Sequence, residues 1–273
     1  MKILFCGDVV GKSGRQALKT HLPKVCAYYQ PDALIINGEN AAHGFGITPK
    51  IFSELKSLGA DIITLGNHTF DKTEVQGLLQ EEPSLVRPLN YPEGTLGQGF
   101  YIHTLQNGGR LAVVQLIGRT FMRPVDDPFE CINSWLKSHL FGRDFDALVI
   151  DFHAEATAEK RALGAFLDGK ASAVLGTHTH IPTADAFVLP GGTAYQTDVG
   201  MCGDYLSIIG MRTQDALPRF LGEQSHALAP AEGTGTFCAT YLETDNLGRT
   251  IKITPIILGG CLQETSLGKG GTQ

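Results

Sequence analysis

Five short stretches carry side chains that could do chemistry: Asp8 in "CGDVVG", Glu39-Asn40 in "NGENA", Asn67-His68 in "LGNHTF", His153 in "IDFHAE", and His178 with His180 in "GTHTH". Each follows an apolar run, and most sit beside a glycine. An acid next to an amide at the mouth of an apolar strand is costly to bury unless something positive lies opposite. Taken singly, each residue has an ordinary reading: Asp8 as a cap or turn residue, Glu39 or Asn40 as a turn stabiliser, His153 as a buried hydrogen-bonded histidine. Together those readings leave many polar groups to satisfy separately, whereas one shared site satisfies them all. "THTH" is the sharpest signal, because in an extended segment His178 and His180 point to the same side. Two imidazoles on one face repel when protonated and serve well as neutral metal ligands. Carboxylates, amides and imidazoles without a required thiolate suit iron, manganese, magnesium or zinc in a two-metal centre, not a cysteine-type zinc site. Glu39 is read as the bridge between two metal ions.

The runs "ILFCGD", "ALIINGEN", "DIITLGNH", "LAVVQLIGR", "ALVIDFHAE" and "SAVLGTHTH" are short and rich in Ile, Val and Leu, as strands buried on both faces are. Helical signals separate the early ones. Ser13 can cap a segment through Leu22 that Pro23 breaks or restarts. Thr48-Pro49 opens a helix that Gly59 stops, and Asp71 with Glu74 suggests a capping box. This alternation predicts an α/β fold with a central sheet, and ligands collect beyond the carboxyl ends of its strands. If the strands are neighbours, the five stretches meet in one crevice, their glycines allowing tight turns. From about Ala186 the pattern changes to hairpins, with "DNLG" as a turn. A single domain over 1–265 is expected, with a flexible tail over 266–273.

The chain's 273 residues are enough for a substantial core, and a formal charge of −6 gives no basic field for duplex nucleic acid. No run of about 18 apolar residues exists, and "MKILFCGD" is too short for a signal-peptide core. The six cysteines are far apart, as reduced structural thiols are, so a cytoplasmic location is expected. A homo-oligomer is compatible with the sequence but not required by it. "GKS" at 11–13 is not a phosphate loop: Cys6 stands where its first glycine belongs, and Asp8 would put a negative charge in the nest.

The order of motifs resembles the calcineurin-like metallophosphoesterase superfamily through Gly7-Asp8, Gly38-Glu39, Gly66-Asn67-His68, His153 and Gly176 to His180. It departs from that pattern in having Val10 where a histidine is usual, Glu39 as the bridging acid, and Thr69 where an acid follows Gly-Asn-His. Those departures, with "GDVVG", "INGENAAHG", "GNHTFDK", "DFHAEATAEK" and "TDVGM", resemble the narrower bacterial YmdB-like phosphodiesterase family over nearly the whole chain. The resemblance implies a layered metallophosphoesterase-type fold, with central mixed β-sheets flanked by helices. It also implies hydrolysis of phosphodiesters, including 2′,3′-cyclic nucleotides and 3′,5′-cyclic AMP. By motif position one metal takes Asp8, Glu39, Asn40 and His180, and the second shares Glu39 and takes Asn67, His153 and His178. The cofactors implied are two divalent or trivalent ions, iron or manganese foremost, with magnesium or zinc also suited. Two ions about 4 Å apart would activate a water to attack phosphorus in line. His68 would protonate the leaving alkoxide, Asp71 would orient His68 or cap a helix, and Arg119 would hold a phosphoryl oxygen or lie in a surface ion pair. A phosphomonoesterase and an RNA-associated metal-binding protein are the alternatives.

Overall fold

A computed structural model describes residues 1–224 and 227–267. Along the chain run β1 (Lys2–Cys6), α1 (Gly11–Tyr29), β2 (Ala33–Asn37), α2 (Pro49–Ser57), β3 (Ile62–Thr64), α3 (Val75–Glu81), β4 (Leu85–Val86), β5 (Phe100–Thr104) and β6 (Arg110–Ile117). The second half adds α4 (Pro128–Ser138), β7 (Ala147–His153), α5 (Thr157–Phe166), β8 (Ala173–Thr177), β9 (Phe187–Val188), β10 (Ala194–Gln196), α6 (Thr213–Leu221), β11 (Phe237–Thr244) and β12 (Thr250–Leu258). All six apolar runs form strands. They belong to two mixed six-stranded sheets, ordered β12-β11-β1-β2-β3-β4 and β5-β6-β7-β8-β10-β9. β1, β2, β3 and β4 are parallel, as are β6, β7, β8 and β10, while antiparallel strands close the edges.

The alternation within single strands dictates the layering. In β1, Leu4 and Cys6 face the core under α1 and α2, where Leu18, Leu22, Ile51 and Leu55 pack. Ile3 and Phe5 face the opposite way, into a second core shared with Val113, Val149 and Leu175 of the other sheet. A third core lies beyond that sheet, where Ile132 and Trp135 of α4 and Leu163 of α5 cover Leu148, Ile150 and Phe152. The result is helices, sheet, sheet, helices, with strands apolar on both faces because both faces are covered. Burying one such side chain contributes about 1.5–3 kcal/mol.

Local signals were overridden where packing was stronger. α1 runs through Pro23, which lies on the exposed side, while Leu18, Leu22 and Val25 hold the buried stripe. Ser13 is not the cap: Val10 holds that position, and the Ser13 hydroxyl donates to the Gly233 carbonyl at 2.9 Å. α2 begins at Pro49 after Thr48, as expected. α3 starts after Glu74, and Asp71 does not cap it. β9–β10 and β11–β12 are the expected hairpins, and Asp245 organises the "DNLG" turn. The "TDVGMCGDY" stretch between them forms no strand. Of the expected tail, Leu267 packs on the first core and 268–273 lie outside the described residues. All six cysteines are free: Cys6, Cys202 and Cys238 are buried, and Cys261 is exposed. Among the described residues no helix is long and apolar enough to cross a membrane.

Candidate metal centre

The five stretches do converge, but from two sheets instead of one. Asp8, Glu39-Asn40 and Asn67-His68 leave the carboxyl ends of β1, β2 and β3, and His153 and "THTH" leave those of β7 and β8. Asp151 ties the two edges together beneath the site. Its Oδ2 accepts from Asn37 Nδ2 at 2.9 Å and Thr64 Oγ1 at 2.6 Å, and its Oδ1 accepts from Thr177 Oγ1 at 2.7 Å. Burial still pushes its carboxyl up to about 7.

The glycines act by making room, not by turning the chain. Gly38, Gly66 and Gly176 all keep negative φ. A Cβ on Gly66 would lie 2.5 Å from the His153 ring, and one on Gly176 would lie 1.7 Å from the Thr197 carbonyl oxygen. The unusual backbone belongs to the histidines: φ is +92° at His178 and +67° at His180. "THTH" is therefore not extended, because β8 ends at Thr177, and its imidazoles are aimed by two left-handed residues. Such conformations persist only where the surroundings hold them. Asp198, in the irregular "TDVGM" stretch, does so. Its Oδ2 accepts from Thr179 N (3.1 Å), Thr179 Oγ1 (2.7 Å) and Lys160 Nζ (2.8 Å), and its Oδ1 accepts from Gly200 N (2.8 Å).

The outer nitrogens of the three histidines are each satisfied, which assigns their tautomers. Thr177 Oγ1 gives its proton to Asp151, so it accepts from His153 Nδ1–H at 3.0 Å. His180 Nδ1–H donates to the Ile209 carbonyl at 2.8 Å, and His178 Nε2 lies 3.2 Å from Glu155 Oε2. The inner nitrogens are left with lone pairs. His153 Nε2 lies 3.1 Å from His178 Nδ1 and 2.9 Å from Asn67 Oδ1, and in these tautomers both imidazole nitrogens and the amide oxygen are acceptors turned toward one point. Glu39 Oε1 stands 3.6 Å from His153 Nε2. Across the site His180 Nε2 lies 3.0 Å from Asn40 Nδ2 and 3.8 Å from Asp8 Oδ1. A half-turn of the Asn40 amide would exchange its nitrogen for oxygen.

The electrostatics suit a positive charge placed among these groups. Asp8 Oδ1 and Glu39 Oε2 are buried without a hydrogen-bond partner. Burial, and then the charge of Asp198, push Asp8 up to about 7, and burial raises Glu39 well above the carboxylate range. Burial and neighbouring cations lower His153 well below the ordinary imidazole value and His178 to about 4, and burial lowers His180. Acids that resist ionising beside imidazoles that resist protonating form a donor set suited to a cation. Among the described residues no group of three or more His, Cys, Asp or Glu is spaced so that it could hold a metal ion. The cluster differs in relying on the amides of Asn40 and Asn67, and in having its donors drawn together at hydrogen-bond distance.

His68 lies at the rim. Its Nδ1 is 2.7 Å from Asp71 Oδ2, and its backbone N–H donates to Glu39. Burial holds its imidazolium below the ordinary value, against the upward pull of Asp71. It lines an open cavity of about 380 Å³ with Asn67, His178, Phe121 and Arg123. Arg119 is elsewhere, exposed and paired with Asp127 at 3.0 Å, so its reading as a surface ion pair is the one observed. Arg123, four residues on, faces the cavity and has no carboxylate partner within salt-bridge distance among the described residues. Asp151, Lys160, Asp198 and Arg123 were not singled out from sequence. An aspartate inside the apolar run "ALVIDF" was the available signal for the first.

Residues 4–256 match the family described as "YmdB-like protein". A 2′,3′-cyclic-nucleotide 2′-phosphodiesterase of Bacillus subtilis is 48% identical over 259 residues, covering 94% of this chain and 97% of its own length. A crystal structure of a hypothetical protein from Thermus thermophilus superimposes with a TM-score of 0.88 at 45% identity, covering 95% of this chain and 100% of that one. The crystal structure of a phosphatase from Mycoplasma pneumoniae gives a TM-score of 0.88 at 34% identity, covering 95% of this chain and 93% of that one.

Proposed function

This chain belongs to the YmdB-like protein family and is a phosphoric ester hydrolase, and we propose that it is a two-metal phosphodiesterase acting on 2′,3′-cyclic nucleotides, with 3′,5′-cyclic AMP as a further substrate. The observation that carries this reading is the facing of Asn67 Oδ1, His153 Nε2 and His178 Nδ1 at 2.9–3.1 Å, beside the unpartnered Asp8 Oδ1 and Glu39 Oε2. A cation relieves both. Asp8, Glu39, Asn40 and His180 would hold one ion, and Glu39, Asn67, His153 and His178 the other, in a calcineurin-like arrangement. Iron or manganese suits the mixed oxygen and nitrogen donors, with magnesium or zinc as alternatives. Such a pair supplies Lewis-acid stabilisation of phosphoryl charge and a water acidic enough to act as nucleophile near neutral pH.

The chain's own side chains do the remaining work. Arg123 presents a guanidinium to a non-bridging phosphoryl oxygen, which fits its planar fork. In its imidazolium form His68 donates its Nδ1–H to Asp71, which stabilises that form and fixes the ring so that Nε2–H supplies the proton for the leaving oxygen. For a 2′,3′-cyclic substrate the bond to the 2′ oxygen breaks, one to water oxygen forms, and the 2′ oxygen takes that proton. The product is a nucleoside 3′-phosphate. The cysteines, free and in part buried, are the feature that supports a cytoplasmic location.

Metal analysis of the purified protein, alongside hydrolysis of a 2′,3′-cyclic nucleotide and of the matching monoester, tests the proposal. About two ions per chain and a preference for the cyclic diester are expected. A metal-free chain with full turnover, or a preference for the monoester, overturns it.

A further inference from the structure

Phe121 is 90% exposed at the wall of the cavity that holds His68 and His178, with φ at +61°. A phenyl ring turned to water on a left-handed backbone is unfavourable on two counts, for its apolar surface and for its Cβ. Packing does not force it there. The adjacent Met122 packs partly buried on the third core, so the same turn has an inward-facing position that the aromatic does not occupy. Nor is the turn loose. Arg119 N and Thr120 N donate to the Glu159 carboxylate at 2.9 and 3.1 Å, and Asp126 N donates to the Asn90 carbonyl at 3.1 Å. A fixed loop therefore presents an open aromatic ring beside the general-acid candidate and beside Arg123, which has no carboxylate partner among the described residues.

We propose that Phe121 is the platform on which the nucleobase of the substrate stacks. This rests on the cyclic-nucleotide reading and adds what that reading lacks, a source of preference for nucleotides over other phosphodiesters. Arg123 and His68 engage the phosphoryl group and its leaving oxygen, so the base extends along the cavity wall toward the ring. Stacking on a π-face tolerates every base and grows with the area of overlap, so purines are favoured over pyrimidines without a base-specific hydrogen bond.

The test compares adenosine 2′,3′-cyclic phosphate with ribose 2′,3′-cyclic phosphate, which lacks the base. In Phe121→Ala the ratio of kcat/KM for the nucleotide to that for the base-free diester is expected to fall about 5- to 150-fold, the range that single-base stacking supplies. Phe121→Trp is expected to keep the ratio, because a larger π-face replaces the first. A merely structural role would lower both substrates together and would not be rescued by tryptophan. An unmoved ratio in Phe121→Ala, with both substrates turned over, overturns the platform alone. A wild-type chain that hydrolyses neither substrate overturns the cyclic-nucleotide reading and the platform with it.

Discussion

Lys160 Nζ and Asp198 Oδ2 lie 2.8 Å apart, both fully enclosed, directly behind the turn that carries His178 and His180. An ammonium so buried is stable only with its counter-charge, and the same carboxylate oxygen takes both donors of Thr179 between the two histidines. The ion pair and the left-handed histidines are one device. Asp198→Asn leaves the ammonium without a countercharge and should destabilise the fold by about 3–5 kcal/mol, read from urea unfolding. Lys160→Met should cost less, because Asp198 keeps its three other donors. A loss below about 1 kcal/mol in Asp198→Asn would show that the pair does not secure this turn.

Glu39→Gln should remove metal and activity together, since an amide offers neither the charge nor the second carboxylate oxygen that the proposed bridging role requires, and Glu39 Oε2 is buried without a hydrogen-bond partner. Two ions per chain with full turnover in that variant would sink the bridging role. His178→Ala should lower metal content toward one ion per chain, and retention of both would place His178 outside the ligand set.

His68→Ala should leave metal content and fold largely intact while slowing cyclic-nucleotide turnover about 10²–10⁴-fold. A nitrophenolate departs readily without a proton, so an aryl diester should lose much less. Equal losses on both, or loss of metal, would make His68 a ligand or a positioning residue. Its partner gives a directional test. Asp71 raises the affinity of His68 for its proton, so Asp71→Asn should move the alkaline fall of kcat to lower pH, and an unmoved limb would exclude the coupling.

Metal uptake should strengthen with pH. Asp8, held up to about 7 by burial and by Asp198, keeps its proton below that pH and competes with the ion. His178, lowered to about 4, has shed its proton well before and adds no competition there. Apparent affinity is then expected to rise at least about tenfold per pH unit between roughly 5.5 and 7, because Asp8, and Glu39 with its raised carboxyl, must shed protons to ligate. Calorimetric titration giving a flat profile over that range would show that Asp8 does not ligate.

The sequence by itself determined the six apolar-run strands and the residues that end them, whereas β4 and β5 were legible only in the structure. Runs such as "ALIIN" and "ALVIDFH" are apolar at consecutive positions, which only strands covered on both faces tolerate, and polar residues at their ends have one edge to occupy. It could not decide that the strands divide between two sheets. Each half reads as the same parallel pattern, and only the opposing faces of Ile3 and Phe5 against Val113 and Val149 bring the two carboxyl edges together. Local helix signals at Ser13 and Pro23 were outweighed by a tertiary hydrogen bond and a buried stripe, and Asp71 turns its carboxylate to the nearby His68 instead of a helix end. The left-handed turns at His178 and His180, the Lys160–Asp198 pair beneath them and the outward ring of Phe121 are decided by partners distant along the chain. No spacing rule in one sequence encodes which distant carboxylate meets which turn, since that depends on how the sheets pack.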